Sequence, residues 1–206
     1  MSSTNAPGDG LAERNAALLV ILGFALARVA LAYSLDFGID EAYTLTIARR
    51  LDWSYFDHPP LHQWIAHFAA LALGEGPATR LPFIALFAAT GWLTSVLTRD
   101  LFGGRAGLRA TFALNASPFF FASAGDWIVP DGPLLFALAG AGVVLARLLF
   151  DEPQSAIWRR WLAAGFFLGL AGLSKYSAVL VAVGLLAFLV LSPRQRRWPN
   201  SPPDGS

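Results

Sequence analysis

WLAAGFFLGLAGLSKYSAVLVAVGLLAFLVL, residues 161–191, carries a single charge, that of Lys175, which is the only lysine in the chain. Arginines flank it at both ends, Arg159 and Arg160 before it and Arg194, Arg196 and Arg197 after it. A cation at the centre of a bilayer costs roughly 2.5–3.5 kcal/mol on insertion scales, so an intramembrane lysine faces a polar cavity and marks a substrate or ion path. Arginine-rich flanks favour the cytoplasmic side. With both ends held there, the stretch must turn back near its centre, and the turn carries Lys175 to the opposite membrane face.

The rest of the composition agrees with a membrane chain. Hydrophobic residues make up 55% and charged residues 14%, and mean hydropathy is +0.52, which excludes an ordinary soluble domain. No cysteine is present, so disulfides, thiolate metal sites and cysteine nucleophiles are all excluded. The arginines sit at the ends of apolar segments and form no basic face, so nucleic acid is not an expected partner.

Apolar segments run over about 15–35, 81–97, 108–121, 133–150, 161–173 and 176–191. They predict an all-α polytopic membrane protein of about six transmembrane helices, several shorter than the ~20 residues of an isolated span. Residues 15–197 form the membrane domain, 1–14 a disordered cytoplasmic N-terminus and 198–206 a disordered Pro/Ser-rich tail. The first segment could also be read as a signal peptide ending at Ala30–Leu31–Ala32. Its length and the lack of a polar domain after it favour an uncleaved span. Arg14, Arg99, Arg105, Arg109, Arg147, Arg159 and Arg160 then lie on one side with the Arg194–Arg197 cluster, while the other side keeps only Arg49, Arg50 and Arg80. The bias places the first side in the cytoplasm.

Between the first two spans, residues 36–80 are too apolar for a solvated loop. Leu61, Trp64, Ile65, Phe68 and Ala72 share one helical face, while His62, Gln63 and His67 look away from it, and Pro60 suits the first turn. Leu45, Ala48 and Leu51 repeat the pattern over 41–51. Both stretches are expected to be interfacial amphipathic helices, with Trp53, Tyr55 and Trp64 at headgroup level.

This topology collects the acids Asp36, Asp40, Glu41, Asp52, Asp57, Glu75, Asp126 and Asp131 on the outer side, with His58, His62, His67 and Lys175. A carboxylate beside a membrane cavity can take a proton from a hydroxyl nucleophile, and a lysine can hold a phosphate leaving group. Each residue also has a plainer reading. Asp40 and Asp131 suit helix caps or turns, Glu41 suits a first helical turn, and Lys175 can snorkel to the interface. Arg28, deep in the first span, could meet a lipid phosphate, or form a structural ion pair. His58 and His62 are spaced for a metal, but Pro59 and Pro60 disfavour helix at His58, and no metal site is expected. The glycines of LFGGRAGLR, 101–109, follow no strand and mark a turn.

The order IDEAYTLTIARRLDWSYFDHPPLHQWIAHF, LFGGRAG, NASPFFFASAGDWIVPDGPLLF, GLAGLSKYSAVL resembles the N-terminal half of the GT-C glycosyltransferases. Within them it is similar to the bacterial branch related to dolichyl-phosphate-mannose protein mannosyltransferases and lipid A aminoarabinose transferases. Family enzymes look longer, with further spans. The resemblance implies transfer of a sugar from a polyprenyl-phosphate donor to a lipid, glycan or protein acceptor, with inversion, at the outer face of the cytoplasmic membrane. Asp40 then matches the catalytic base, Glu41 its acidic companion and Asp131 an acid shaping the site. Lys175 matches a basic residue near the donor phosphate. His58 stands where the aminoarabinose branch commonly has lysine. The scheme calls for no metal and no cofactor. Rival readings are a transporter or flippase component for a lipid-linked substrate, and a non-catalytic membrane fragment.

Overall fold

The computed structural model describes residues 9–150 and 157–192. Among these the chain is all helix: α1 (Asp9–Ser34), α2 (Ile39–Ala48), α3 (Leu61–Leu73), α4 (Leu81–Phe102), α5 (Gly104–Ala116), α6 (Asp131–Phe150), α7 (Ile157–Ser174) and α8 (Val179–Leu191). Short 3-10 turns at Pro77–Arg80 and Tyr176–Ala178 lead into α4 and α8, and a π-helical turn at Phe120–Ala124 follows α5. Residues 9–14 are part of α1, so the first helix starts earlier than the hydropathy suggests, because its polar first turns still propagate the helix. The expected tail, 198–206, the arginines at 194–197 and residues 1–8 lie outside the described residues.

Three helical stretches are long and apolar enough to cross a bilayer unaided: Gly10–Ser34, Pro77–Phe102 and Asp131–Phe150. The remaining three expected spans have no such support. The third covers the 13-residue α5 and the π-helical turn, and the sixth is a shorter apolar helix, Tyr176–Leu191. Helices of that length reach across only with neighbours or bilayer thinning.

Packing follows the membrane rather than water. On α1, Ala17, Ile21, Arg28 and Ala32 are buried, while Leu19, Leu22, Leu26 and Tyr33 on the opposite stripe are exposed. Such a stripe is what lipid covers. α8 buries none of its residues. The α4–α5 corner turns at Gly103, whose φ of +92° is one that other residues adopt only with strain. In α3 the interfacial reading has a definite sense: His62, Gln63, Ala66 and Ala69 turn into the protein, and Phe68 and Leu71 face out. The protein side is the polar, small-residue side, and the large apolar side chains Phe68 and Leu71 lie on the other. In α2, Leu45 and Ala48 are buried as their spacing suggests, but the helix ends at Ala48 and leaves Leu51 outside it, exposed.

The two ends of the bundle differ. At one end Glu13 approaches Arg105, and Asp100 pairs with Arg99 and Arg147. At the other, the end of α1, all of α2, the start of α3, the turn before α4, residues 125–131 and Lys175 converge. A small core of Leu45, Ala48, Ala66, Phe83 and Ile128 lies beneath them.

Candidate active site

The second end is organised by a buried ion pair. Arg80 donates from Nε and Nη2 to the two carboxylate oxygens of Glu41, both at 2.7 Å, and neither side chain is more than 1% exposed. Its remaining hydrogens go to the carbonyls of Ala32, Leu35 and Asp36, the unsatisfied C-terminal end of α1 and the link beyond it. Glu41 also accepts from the backbone N–H of Gly38, closing the start of α2, and from that of Ile128. The Arg80–Glu41 pair therefore ties the end of α1, α2, the turn before α4 and the loop leading to α6.

That assignment separates the two acids of the pair. Glu41, not Asp40, receives the N–H at the start of α2. Asp40 is exposed, and among the described residues its carboxylate has no hydrogen-bond or ion-pair partner. Glu41 faces inward because it is the residue on the Arg80 side of the helix, and Asp40 one residue earlier faces out.

Asp131 opens α6 and receives a hydrogen bond from Lys175 Nζ at 2.9 Å, both side chains being about one-third exposed. Lys175 lies in extended backbone between α7 and the following 3-10 turn, so a break in the helix delivers its side chain to the end of α6. Two of the expected site residues, 44 positions apart, thus meet directly.

His58 Nδ1 lies 3.1 Å from a carboxylate oxygen of Asp57. The His58 ring meets that of His62 edge-on at 5.4 Å. Burial raises the Asp57 pKa, but Tyr43's hydroxyl, the Asp57 backbone and His58 outweigh it and hold the carboxyl below its usual range. For His62 burial dominates and, with the nearby His58, pushes the pKa down to about 4 against the pull of Asp57 and Asp131, so it is neutral. Its Nδ1 and both amide atoms of Gln63 are buried without a protein partner among the described residues.

Arg28 is buried beneath this layer. Nε donates to the Phe121 carbonyl at 3.1 Å and Nη1 to Asn115 Oδ1 at 2.9 Å, and the cation stacks 4.5 Å from the Phe87 ring centroid and 4.9 Å from that of Phe121. The approach requires Gly125, where a Cβ would stand 2.5 Å from Arg28 Nε. Asp126 follows it, fully buried, with no hydrogen-bond partner for either oxygen among the described residues. Burial, assisted by Glu41 and opposed by Arg80 and Arg28, raises its pKa to about 6.

Arg80 and Asp126 carry the most structure for the least sequence signal. Arg80 reads as a flank of the second span, and Asp126 as one outer acid among many. An arginine and an acid each placed against an apolar run were the available clue. Among the described residues no group of three His, Cys, Asp or Glu is placed to hold a metal ion.

An all-helical body with three bilayer-length apolar helices thus gathers acids, a lysine and histidines at one end. The family model for dolichyl-phosphate-mannose-protein mannosyltransferase matches residues 57–203. The chain belongs to this family of GT-C type glycosyltransferases. No curated protein and no solved structure matches it. The matched range takes in His58, Asp131 and Lys175 and starts after Asp40, Glu41 and Arg28.

Proposed function

We propose that the chain is a membrane glycosyltransferase module that moves a sugar from a polyprenyl-phosphate donor to an acceptor at the outer face of the cytoplasmic membrane. α5, α7 and α8 complete six crossings, with residues 15–197 as one membrane domain. The observation that carries the reading is the Lys175–Asp131 contact, which brings a cation and an acid to the end of the bundle where Asp40 stands free.

In this scheme Asp40 accepts the proton of the acceptor hydroxyl, whose oxygen attacks the anomeric carbon from the face opposite the phosphate. The bond from that carbon to the phosphate oxygen breaks, and the phosphate leaves with the electron pair, giving inversion. Lys175 and His58 offset the charge of the leaving phosphate. Asp131 holds Lys175 in place. Glu41 is enclosed by Arg80 and backbone donors, so its part is to set the position of Asp40. Arg28 supports the 117–131 connection from within through the Phe121 carbonyl, and its Nη2, buried without a partner among the described residues, is the atom free to meet a lipid phosphate. The unpartnered atoms of His62 and Gln63 suit the hydroxyls of a sugar.

The test is transfer from a labelled polyprenyl-phosphate sugar. Asp40→Asn keeps size and should lower the rate by about 10²–10⁴, the usual contribution of a general base. Near-normal transfer by well-inserted protein would remove Asp40 from this role. Uptake of the intact labelled lipid without sugar transfer would point to a transporter. Since the chain has no cysteine, single cysteines test orientation cleanly. One replacing Ser155 should resist a membrane-impermeant reagent in intact cells, and labelling there would reverse the topology.

A further inference from the structure

The connection after α2 is short, internally tied and turned outward. Tyr55 donates its hydroxyl to the Arg50 carbonyl and accepts from the Asp52 N–H, Asp52 Oδ1 accepts from the Trp53 N–H, and the Trp64 indole donates to the Asp52 carbonyl at 2.7 Å. These bonds fix the backbone of the connection. They also fix what it presents: Trp53 is 86% exposed, Phe56 wholly exposed and Leu51 half exposed. The Trp53 ring stands edge-on to Trp64 at 6.3 Å, beside a groove of about 270 Å³ lined by Leu51, Asp52 and the two indoles.

A rigid loop that displays Trp, Phe and Leu needs an apolar occupant, and the bilayer is favoured by continuity. The exposed stripe of α1, Leu19, Leu22, Leu26 and Tyr33, continues through Leu35 to Ile39, which is 90% exposed, and to Tyr43 on the same face of α2. Tyr43 in turn reaches Asp57, the neighbour of Phe56. The exposed apolar side of the first span thus runs on through Ile39 and Tyr43 into this connection. The charges beside it are of both signs, Asp40, Asp52 and Asp57 with Arg49 and Arg50, and Arg49 is paired with Glu75, so no net basic patch draws it to anionic headgroups and attachment is by apolar insertion.

We infer that Ile39, Leu51, Trp53 and Phe56 form a fixed anchor seated at the headgroup-to-acyl boundary of the bilayer that α1 enters. The inference rests on the proposed function for its consequence. Ile39 directly precedes Asp40, and Phe56 directly precedes Asp57 and His58, so the anchor holds those acids and the histidine at the depth of lipid phosphates. A polyprenyl phosphate would present its reacting phosphate at that level.

Depth can be measured without turnover. Trp53→Cys and Phe56→Cys, each carrying a nitroxide, would be compared in nanodiscs with Leu26→Cys as the acyl reference and a free nitroxide in solution as the aqueous one. Relaxation by oxygen relative to a water-soluble nickel chelate should fall between the two references at both positions. The values should be unchanged between zwitterionic and anionic lipid. Aqueous values, or protection from both reagents as in a protein contact, would overturn the anchor. Separately, the double variant W53S/F56S should lose transfer from bilayer-embedded donor severalfold while keeping it with detergent-solubilised donor. Equal loss in both would show a structural fault and not lost seating. Absence of all transfer alongside intermediate depths would fault the glycosyltransferase reading and leave the anchor standing.

Discussion

The two ends of the bundle use the same charges to different effect. At the α4–α5 corner, Asp100 pairs with Arg147 at 2.7 Å, but the side chains are 29% and 43% exposed. At the other end the Arg80–Glu41 pair has the same length and is sealed from solvent. An exposed pair contributes at most about 1 kcal/mol, because solvent screens it and two long side chains must be ordered. Removing one partner of a buried pair costs about 3–5 kcal/mol, because the other charge is left uncompensated. The arginine-rich end therefore adds little to stability through its pairs, whereas the acid–histidine end is a built structure that holds Asp40, Asp131 and Lys175 in place.

The largest expected effect breaks that contrast or confirms it. Glu41→Gln should lower stability by about 3–5 kcal/mol and sharply reduce folded yield. Arg147→Ala should change stability by less than about 1 kcal/mol. Thermal unfolding in detergent compares them, and equal losses would mean that both ends are held alike.

Two buried groups at the same end should show opposite pH dependence. Burial holds the His62 pKa at about 4 in the folded chain against its ordinary value of 6.5, so the unfolded chain binds the extra proton in between and stability falls as pH drops from 6.5 towards 4. Asp126 is raised from 3.8 to about 6, so the folded chain holds the extra proton and stability falls as pH rises through that window. Each is worth about 3 kcal/mol at most, from 1.36 kcal/mol per unit. In wild type the two slopes offset each other. His62→Gln should leave stability decreasing from pH 4 to 6, and Asp126→Asn should leave it increasing, in unfolding curves taken across that range.

A smaller effect sharpens the role of Arg28. Gly125→Ala places a methyl against Arg28 Nε and the Phe120 carbonyl, and overpacking of this kind costs about 1–3 kcal/mol. Arg28→Met combined with Gly125→Ala should recover part of the loss. No recovery would mean that the Phe120 carbonyl alone sets the limit.

Much of this end was legible because charge is rare in apolar sequence. Lys175 stands out as the only lysine, and the arginines on either side predict the break between α7 and α8 that the structure shows, whereas its contact with Asp131 is not read from the sequence. What the sequence could not resolve was rotation and reach. Asp40 and Glu41 are adjacent acids with the same composition signal, and only the contact with Arg80, a residue 39 positions away, decides which one is buried. The roles of Arg28 and Asp126 depend likewise on a long-range approach through Gly125. Span number was obscured for another reason. Hydropathy sees an apolar run at 108–121, but the chain leaves α-helical geometry after Ala116 and passes through a π-helical turn. The two-sided character of α3 is visible in its periodicity, whereas the burial of His62 and Gln63 depends on the protein packed beneath them.

The central claim is that the end carrying the Lys175–Asp131 pair receives the donor phosphate. Its most direct test is the affinity of purified protein in nanodiscs for a polyprenyl phosphate, comparing wild type with Lys175→Ala, Lys175→Arg and, from the opposite end, Arg147→Ala. A charge-assisted contact contributes about 1.5–3 kcal/mol, so Lys175→Ala should weaken binding by roughly 10- to 150-fold. Lys175→Arg should keep part of the affinity, since the charge remains in a different shape. Arg147→Ala should bind as wild type does. Indistinguishable affinities for all four proteins, or a loss with Arg147→Ala alone, would contradict the assignment and leave Lys175 as an interface anchor.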